Sequence, residues 1–134
     1  MFSAMLFSIS IVALTQFALY YWRAVLAGVA AQPVSDRVLA AAQVADGRLT
    51  SGHFETLAGL HALTPELSPQ GPGLGLVRLY YRIVAGLDNL AGARIPSVAA
   101  WSERERVICT RYAAVQVDRR LQANLDLVAS LRSC

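Results

Sequence analysis

The first twenty-two positions of the chain hold no charged side chain, and the run closes on Tyr20-Tyr21-Trp22-Arg23. Between Phe2 and Trp22 only Ser3, Ser8, Ser10, Thr15 and Gln16 interrupt the apolar residues. About 20 such residues, rising 1.5 Å each, cross a hydrocarbon layer of roughly 30 Å, so the stretch predicts one transmembrane helix. Residues such as Leu6, Phe7, Ile11 and Leu14 each favour insertion by about 0.3–0.6 kcal/mol, and no central charge costing about 2.5–3.5 kcal/mol opposes them. Tyr20, Tyr21 and Trp22 carry amphipathic rings that settle at headgroup depth, and Arg23 has a stem long enough to reach water from there. These four residues are the expected membrane-interface anchor.

The competing reading is a cleaved signal peptide, with Val29-Ala30-Ala31 preceding the cut. It wants a basic leader, a shorter apolar core of about 7–15 residues and small residues before the site. This chain has no basic leader, and it places three bulky aromatics near its boundary. A permanent anchor is therefore expected. Basic residues follow the span (Arg23, Arg37, Arg48) and none precedes it. The positive-inside rule then puts the N-terminus outside and the remainder in the cytoplasm of a cell (inner) membrane.

Beyond the span the pattern stays helical. Residues 24–31 continue the helix, with Ala24, Ala27, Gly28 and Ala31 forming a small-residue strip, until Pro33 interrupts it. Residues 1–32 thus form the anchor and juxtamembrane helix, and 33–134 a helical domain. Ser35 is the expected cap of a short helix from Asp36 to about Ala45, with Asp46-Gly47 as its stop. Thr50 is the expected cap of the next, whose apolar face is Phe54, Leu57, Leu60 and Leu63. Leu49 is placed to staple onto Phe54, and Thr64-Pro65 ends that helix. Residues 64–75 (TPELSPQGPGLG) hold three of the five prolines and three of the nine glycines, the clearest loop in the chain. A third helix is expected from Leu76 to Gly92 with Leu76, Tyr80, Ile83, Leu87 and Leu90 inward. A fourth, capped by Ser97, reaches Leu131 or Arg132. No segment alternates with period two, so the fold class is all-α: one transmembrane helix, then a small bundle of about four helices ending in a long one.

Composition adds little. The formal net charge of +3 is a mild excess, too small for a nucleic-acid footprint, and all twelve basic residues are arginine. Cys109 and Cys134 lack the CxxC spacing of a metal or redox site; two cysteines also fall short of a secreted disulfide framework, which fits reduced thiols. Cys109 reads as a small buried helix residue and Cys134 as exposed.

Candidate chemistry is sparse. Arg78 and Arg82 stand one turn apart after the glycine-rich loop, where free amides and two guanidinium groups could hold a phosphate or carboxylate. The loop lacks the GK[ST] ending of a P-loop. His53-Phe54-Glu55 shares the HxE triplet of zinc deaminases without their PCxxC, and His61 lies about 80° around the helix from His53, so no metal site is expected. The cluster Ser102-Glu103-Arg104-Glu105-Arg106 reads as a solvated face, or as a docking surface for another helix. There is no GxSxG or SxxK, and no catalytic or cofactor-binding residue is assigned. The expected function is a non-enzymatic, membrane-tethered accessory, scaffold or regulatory protein. Its partners are the lipid bilayer and a protein partner or a second copy, without nucleic acid. The alternatives are a ligand-binding module using the 64–75 loop with Arg78 and Arg82, and an exported helical protein.

Overall fold

The computed structural model describes residues 1–44, 46, 48–65 and 74–134. Among these every regular element is helical: α1 Phe2–Ala30, α2 Asp36–Ala41, α3 Phe54–Leu63, α4 Leu74–Leu87 and α5 Pro96–Arg132. A 3₁₀ turn, Ser51–His53, leads into α3, and a π turn, Asp88–Gly92, ends α4.

The apolar opening and the small-residue stretch after it form one unbroken helix of 29 residues, about 43 Å long at 1.5 Å per residue. Every side chain from Met1 to Tyr21 is exposed. Ser8 and Thr15 return their hydroxyls to the carbonyls of Ala4 and Ile11, so these two polar interruptions are satisfied inside the helix. Leu26 and Ala30, by contrast, are buried in the core, and Trp22 and Val29 pack against it. The small-residue strip lies on the open side: Ala24, Ala27, Gly28 and Ala31 are exposed. The boundary near residue 32 is therefore not a seam in the packing, because the last turns of α1 belong to the bundle.

α5, with 37 residues, is about 55 Å long and is the spine on which the others pack. Contacts between side chains fix the directions. Arg23 meets Glu105 and Gln32 meets Arg119, so α1 and α5 run parallel. Ser51 meets Glu103 and the carbonyl of His61 meets Arg120, so α3 also runs with α5. Tyr80 meets Glu105 and Gly92 lies beside Ala99, so α4 runs back against it. The bare end of α1 and the C-terminal end of α5 thus point in opposite directions. The core between them joins Leu26, Val38, Phe54, Leu57, Leu74, Val77 and Tyr112 with the small Cys109, Ala113 and Ala114, which let the helices approach α5 closely.

Several local expectations are corrected. α2 stops at Ala41, short of 45, and Gln43 takes the left-handed conformation (φ 59°); Ala45 and the expected stop at Gly47 lie outside the described residues. Ser35 sits at the N-cap position but spends its hydroxyl on Asp118 Oδ1 of α5, 2.5 Å away, instead of on the helix's own amides. α5 begins at Pro96, not at a Ser97 cap. Ile95 is its N-cap, and proline fits the first turn because its fixed φ is helical and it has no amide to leave unpaired. α3 does end at Leu63 with Thr64 extended, as the residue before a proline requires. Its Phe54 and Leu57 are fully buried while Leu63 is open to solvent.

The largest correction concerns α4. Leu76, Ile83, Leu87 and Leu90, expected inward, are exposed; Leu74, Val77 and Val84 are the buried positions, with Tyr81 half-buried beside them. α4 is apolar on two faces, and the core takes the face with smaller side chains, where Tyr81 can stack on Phe54 (centroids 4.1 Å apart, rings within 10° of parallel). The loop 64–75 falls largely outside the described residues.

Candidate functional site

The polar centre of the molecule is Glu105, in the middle of a charged pentapeptide yet only 2 % exposed. It occupies the same stripe of α5 as Ser102, Cys109 and Tyr112, all buried, at helical steps of three and four. The reading of residues 102–106 as a solvated face holds only for Glu103 and Arg104; Ser102 and Glu105 are buried and Arg106 is half-buried. A carboxylate taken out of water must be paired and hydrogen-bonded. Glu105 Oε1 accepts from Arg23 Nη2 at 2.5 Å, and Oε2 accepts from the Tyr80 hydroxyl at 2.8 Å. One residue of α5 therefore ties α1 to α4.

Arg23 was expected only to reach water. It does so with about half of its side chain, and its tip also closes on Glu105. Burial, and then the Glu105 carboxylate it donates to, push the Tyr80 hydroxyl well above the usual phenol range. Burial first and the Glu105 charge second push the Cys109 thiol up to about 12. At neutral pH both are protonated: Tyr80 is a hydrogen-bond donor and Cys109 an inert core thiol, in line with its expected role. Cys134 is exposed.

A second network lies one turn around α5. Ser51 Oγ donates to Glu103 (3.0 Å) and accepts from Arg106 Nη2 (3.2 Å), while Arg106 Nη1 meets Asp88 Oδ2 at 3.3 Å. The Tyr81 hydroxyl donates to the Ser51 carbonyl at 2.9 Å, and the Arg106 guanidinium stands 5.7 Å over the Tyr81 ring. The network pins the 3₁₀ turn and the end of α4 to α5. Its one guanidinium is shared between two carboxylates and a hydroxyl, which is the arrangement of a structural clamp.

The positions singled out in the sequence are not brought together. Arg78 pairs with Glu55 at 3.0 Å on an exposed surface, and Arg82 is exposed with no partner among the described residues. Residues 66–73 of the proposed anion loop lie outside the described residues. Tyr20 and Tyr21 are exposed along α1, and Trp22 turns toward the core. His53 Nδ1 accepts the Thr50 backbone amide at 3.1 Å, with Thr50 Oγ1 2.9 Å away, so the imidazole completes a cap at the start of the 3₁₀ turn. A ring nitrogen occupied in that way is a poor general base. Among the described residues no three His, Cys, Asp or Glu side chains converge as a metal site.

Two clefts stand out. One, of about 390 Å³, lies between α1, α4 and the start of α5, walled by Gln16, Leu19, Tyr20, Ile83, Leu87 and Trp101, with Arg23 and Tyr80 at its base. The other, of about 570 Å³, has Val34, Leu39, Leu49 and Val107 as its apolar lining and Arg48 and Arg111 at its edge. Glu105 is the residue that reading the sequence missed. The signal available was its register: an acid falling on the stripe set by Cys109 and Tyr112 needs a cation from elsewhere.

No protein-family model matches the chain, and no curated protein and no solved structure shows significant similarity to it.

Proposed function

We propose that the chain is a single-pass membrane protein, N-terminus outside and helical domain in the cytoplasm, that acts as a non-enzymatic accessory or scaffold by holding another protein through helix–helix contacts. The observation that carries this reading is the divided character of α1. Its first 21 residues are bare and apolar, yet its last turns supply Leu26 and Ala30 to the core and Arg23 to Glu105. A helix hidden in the core of a soluble protein would not leave such a length open to water, where each large apolar side chain forgoes about 1.5–3 kcal/mol of burial. A signal peptide cut after Ala31 would remove two core residues and leave Glu105 buried without its cation. The anchor reading meets neither objection.

The partner surface lies at the opposite end. Beyond Asn124, whose side chain reaches the Pro65 carbonyl, α5 runs clear of the bundle with Leu125, Leu127, Val128 and Leu131 exposed. Val117, Leu121, Asn124, Val128 and Leu131 repeat at steps of four and three, the spacing that seats a helix against another helix. Anchored at one end and bare at the other, the domain presents this arm at high local concentration along the membrane, where modest contacts suffice.

The test combines carbonate extraction of membranes, a reporter fused at the C-terminus, and sizing of the mature N-terminus. Full-length protein that stays in the pellet with a cytoplasmic reporter supports the reading; release by carbonate, or a start at Gln32, overturns it. A second reading, a ligand-binding module, is favoured by Arg48 and Arg111 beside Val34, Leu39, Leu49 and Val107 in the 570 Å³ cleft of mixed polarity, a combination suited to an anion with an apolar tail. Calorimetric titration with a medium-chain fatty acid, on wild type and Arg111→Gln, tests it.

A further inference from the structure

We infer that the corner where α4 turns into α5 is itself immersed in the membrane interface, so that acyl chains of the leaflet fill the cleft between α1, α4 and α5. This rests on the anchor reading and adds a second point of contact. Three roughly aligned helices, α1, α4 and α5, share a set of levels. Arg23, Tyr80 and Glu105 meet and so share a level. Gln16 lies seven residues before Arg23 on α1, and Leu87 seven residues beyond Tyr80 on the antiparallel α4; both are two turns, about 10 Å, to the same side. Trp101 is one turn to that side on α5. The independent check is that Gln16, Leu87 and Trp101 line one cleft together with Leu19 and Tyr20.

If Tyr20 to Arg23 stand at headgroup depth, lipid that surrounds Gln16 and Leu19 must also meet Leu87 and Trp101. The side chains on this end suit that surrounding. Leu90 is 79 % exposed, and Ile83, Leu87 and Ile95 are exposed as well, a stripe that water would disfavour and a leaflet would cover. An interfacial element sinks about 5–10 Å into the headgroup and acyl boundary, the depth the levels give Trp101 and Leu87; Leu90 and Ile95, each ten residues from the Tyr80 and Glu105 level, reach about 15 Å, into the acyl chains. Arg82 and Arg104, which flank the Arg23 level, are exposed around the same end, within stem's reach of lipid phosphates. The acids at this level, Asp88 and Glu103, are engaged by Arg106 and Ser51, so they do not repel an anionic surface outright. The immersed corner explains why α4 keeps a second apolar face that the bundle does not use.

The two tryptophans, Trp22 and Trp101, make the test. Trp22→Phe leaves Trp101 as the reporter, and Trp101→Phe leaves Trp22. Each full-length variant is reconstituted in phosphatidylcholine–phosphatidylglycerol vesicles with bromines in the upper acyl chain. The expected result is that Trp101 is quenched as strongly as Trp22. Quenching of Trp22 alone overturns the immersed corner and leaves the anchor standing; if cross-linking then finds dimers, a second copy covers the cleft instead. Quenching of neither, or of Trp101 alone, overturns the anchor and this inference with it. Should either variant lose its helical circular dichroism, Leu90→Cys in a Cys134→Ser background, carrying a nitroxide, replaces it. That label should collide more with dissolved oxygen than with a water-soluble nickel chelate, and the reverse order overturns the proposal.

Discussion

Arg23 and Glu105, separated by 82 residues in sequence, meet 2.5 Å apart at the place where α1 leaves its bare course and enters the bundle. The pair is lopsided: the carboxylate is buried and the guanidinium half in water. Removing the arginine strands a buried charge, whereas neutralising the acid leaves an arginine that can turn to solvent. Breaking a fully buried pair costs about 3–5 kcal/mol, and the exposure of Arg23 together with the remaining Tyr80 bond reduces that here. Arg23→Gln should therefore destabilise by about 1–3 kcal/mol, and Glu105→Gln, which keeps an acceptor for Tyr80, by less. Thermal unfolding in mild detergent ranks the two; equal losses would show that the burial of Glu105 is not what sets the cost.

The same cluster makes stability depend on alkaline pH. The Cys109 thiol is pushed up to about 12 in the folded chain from an ordinary 9.0. Below the ordinary value both folded and unfolded chains hold the proton and pH has no effect. Above it the unfolded chain gives the proton up first, so stability falls as pH rises from about 9 to about 12, by at most about 1.4 kcal/mol per pH unit for one group. Tyr80, raised in the same direction, adds its own loss above the ordinary phenol value of 10.0. Cys109→Ala should flatten the decline between these two onsets, read by urea unfolding across the series. Maleimide at neutral pH should label Cys134 and spare Cys109 until the chain unfolds.

Phe54 and Tyr81 form the contact between α3 and α4, and the Tyr81 hydroxyl also holds the Ser51 carbonyl. Phe54→Ala should cost about 3–5 kcal/mol through lost burial and the cavity left behind. Tyr81→Phe, which keeps the ring and loses one hydrogen bond, should cost about 1 kcal/mol. The coupling between Phe54→Ala and Tyr81→Ala, expected near 0.5–1.5 kcal/mol, isolates the stacking itself. A coupling of zero would mean the rings are merely neighbours.

These residues also show what a single sequence discloses. The stop at Thr64-Pro65, the long α5 and the burial of Cys109 follow from local rules and were legible. α4 was not, because Leu76, Ile83 and Leu87 keep the same period as Val77 and Val84, and periodicity cannot say which of two apolar faces meets the core. Ser35 and Ser97 have the residue type of a cap. A better partner on a distant helix, Asp118, claimed the first, and a neighbouring proline displaced the second. Glu105 escaped for a related reason: its charged neighbours Glu103 and Arg104 advertise solvent, and only the approach of Arg23 and Tyr80 from two other helices makes its burial tolerable. For Ser35 and Glu105 what was missed is a long-range pairing, which spacing along the chain does not encode.

The free end of α5 gives the prediction that bears most on function. Leu125 and Val128 are exposed and hold nothing of the bundle together. Exposed positions of that kind change stability by about 0.5 kcal/mol or less when replaced. The double variant Leu125→Glu and Val128→Glu should therefore unfold with wild type in detergent, while placing one charge in the seam that a partner helix would occupy and a second beside it. Its expected effect is loss of proteins that co-purify with wild type in mild detergent, or of dimers on cross-linking where the partner is a second copy. Leu63→Glu, at a still more exposed position at the end of α3, serves as the control and should leave association intact. If both variants retain every contact of wild type, the arm is not the partner surface and helix-mediated docking must be sought elsewhere on the domain.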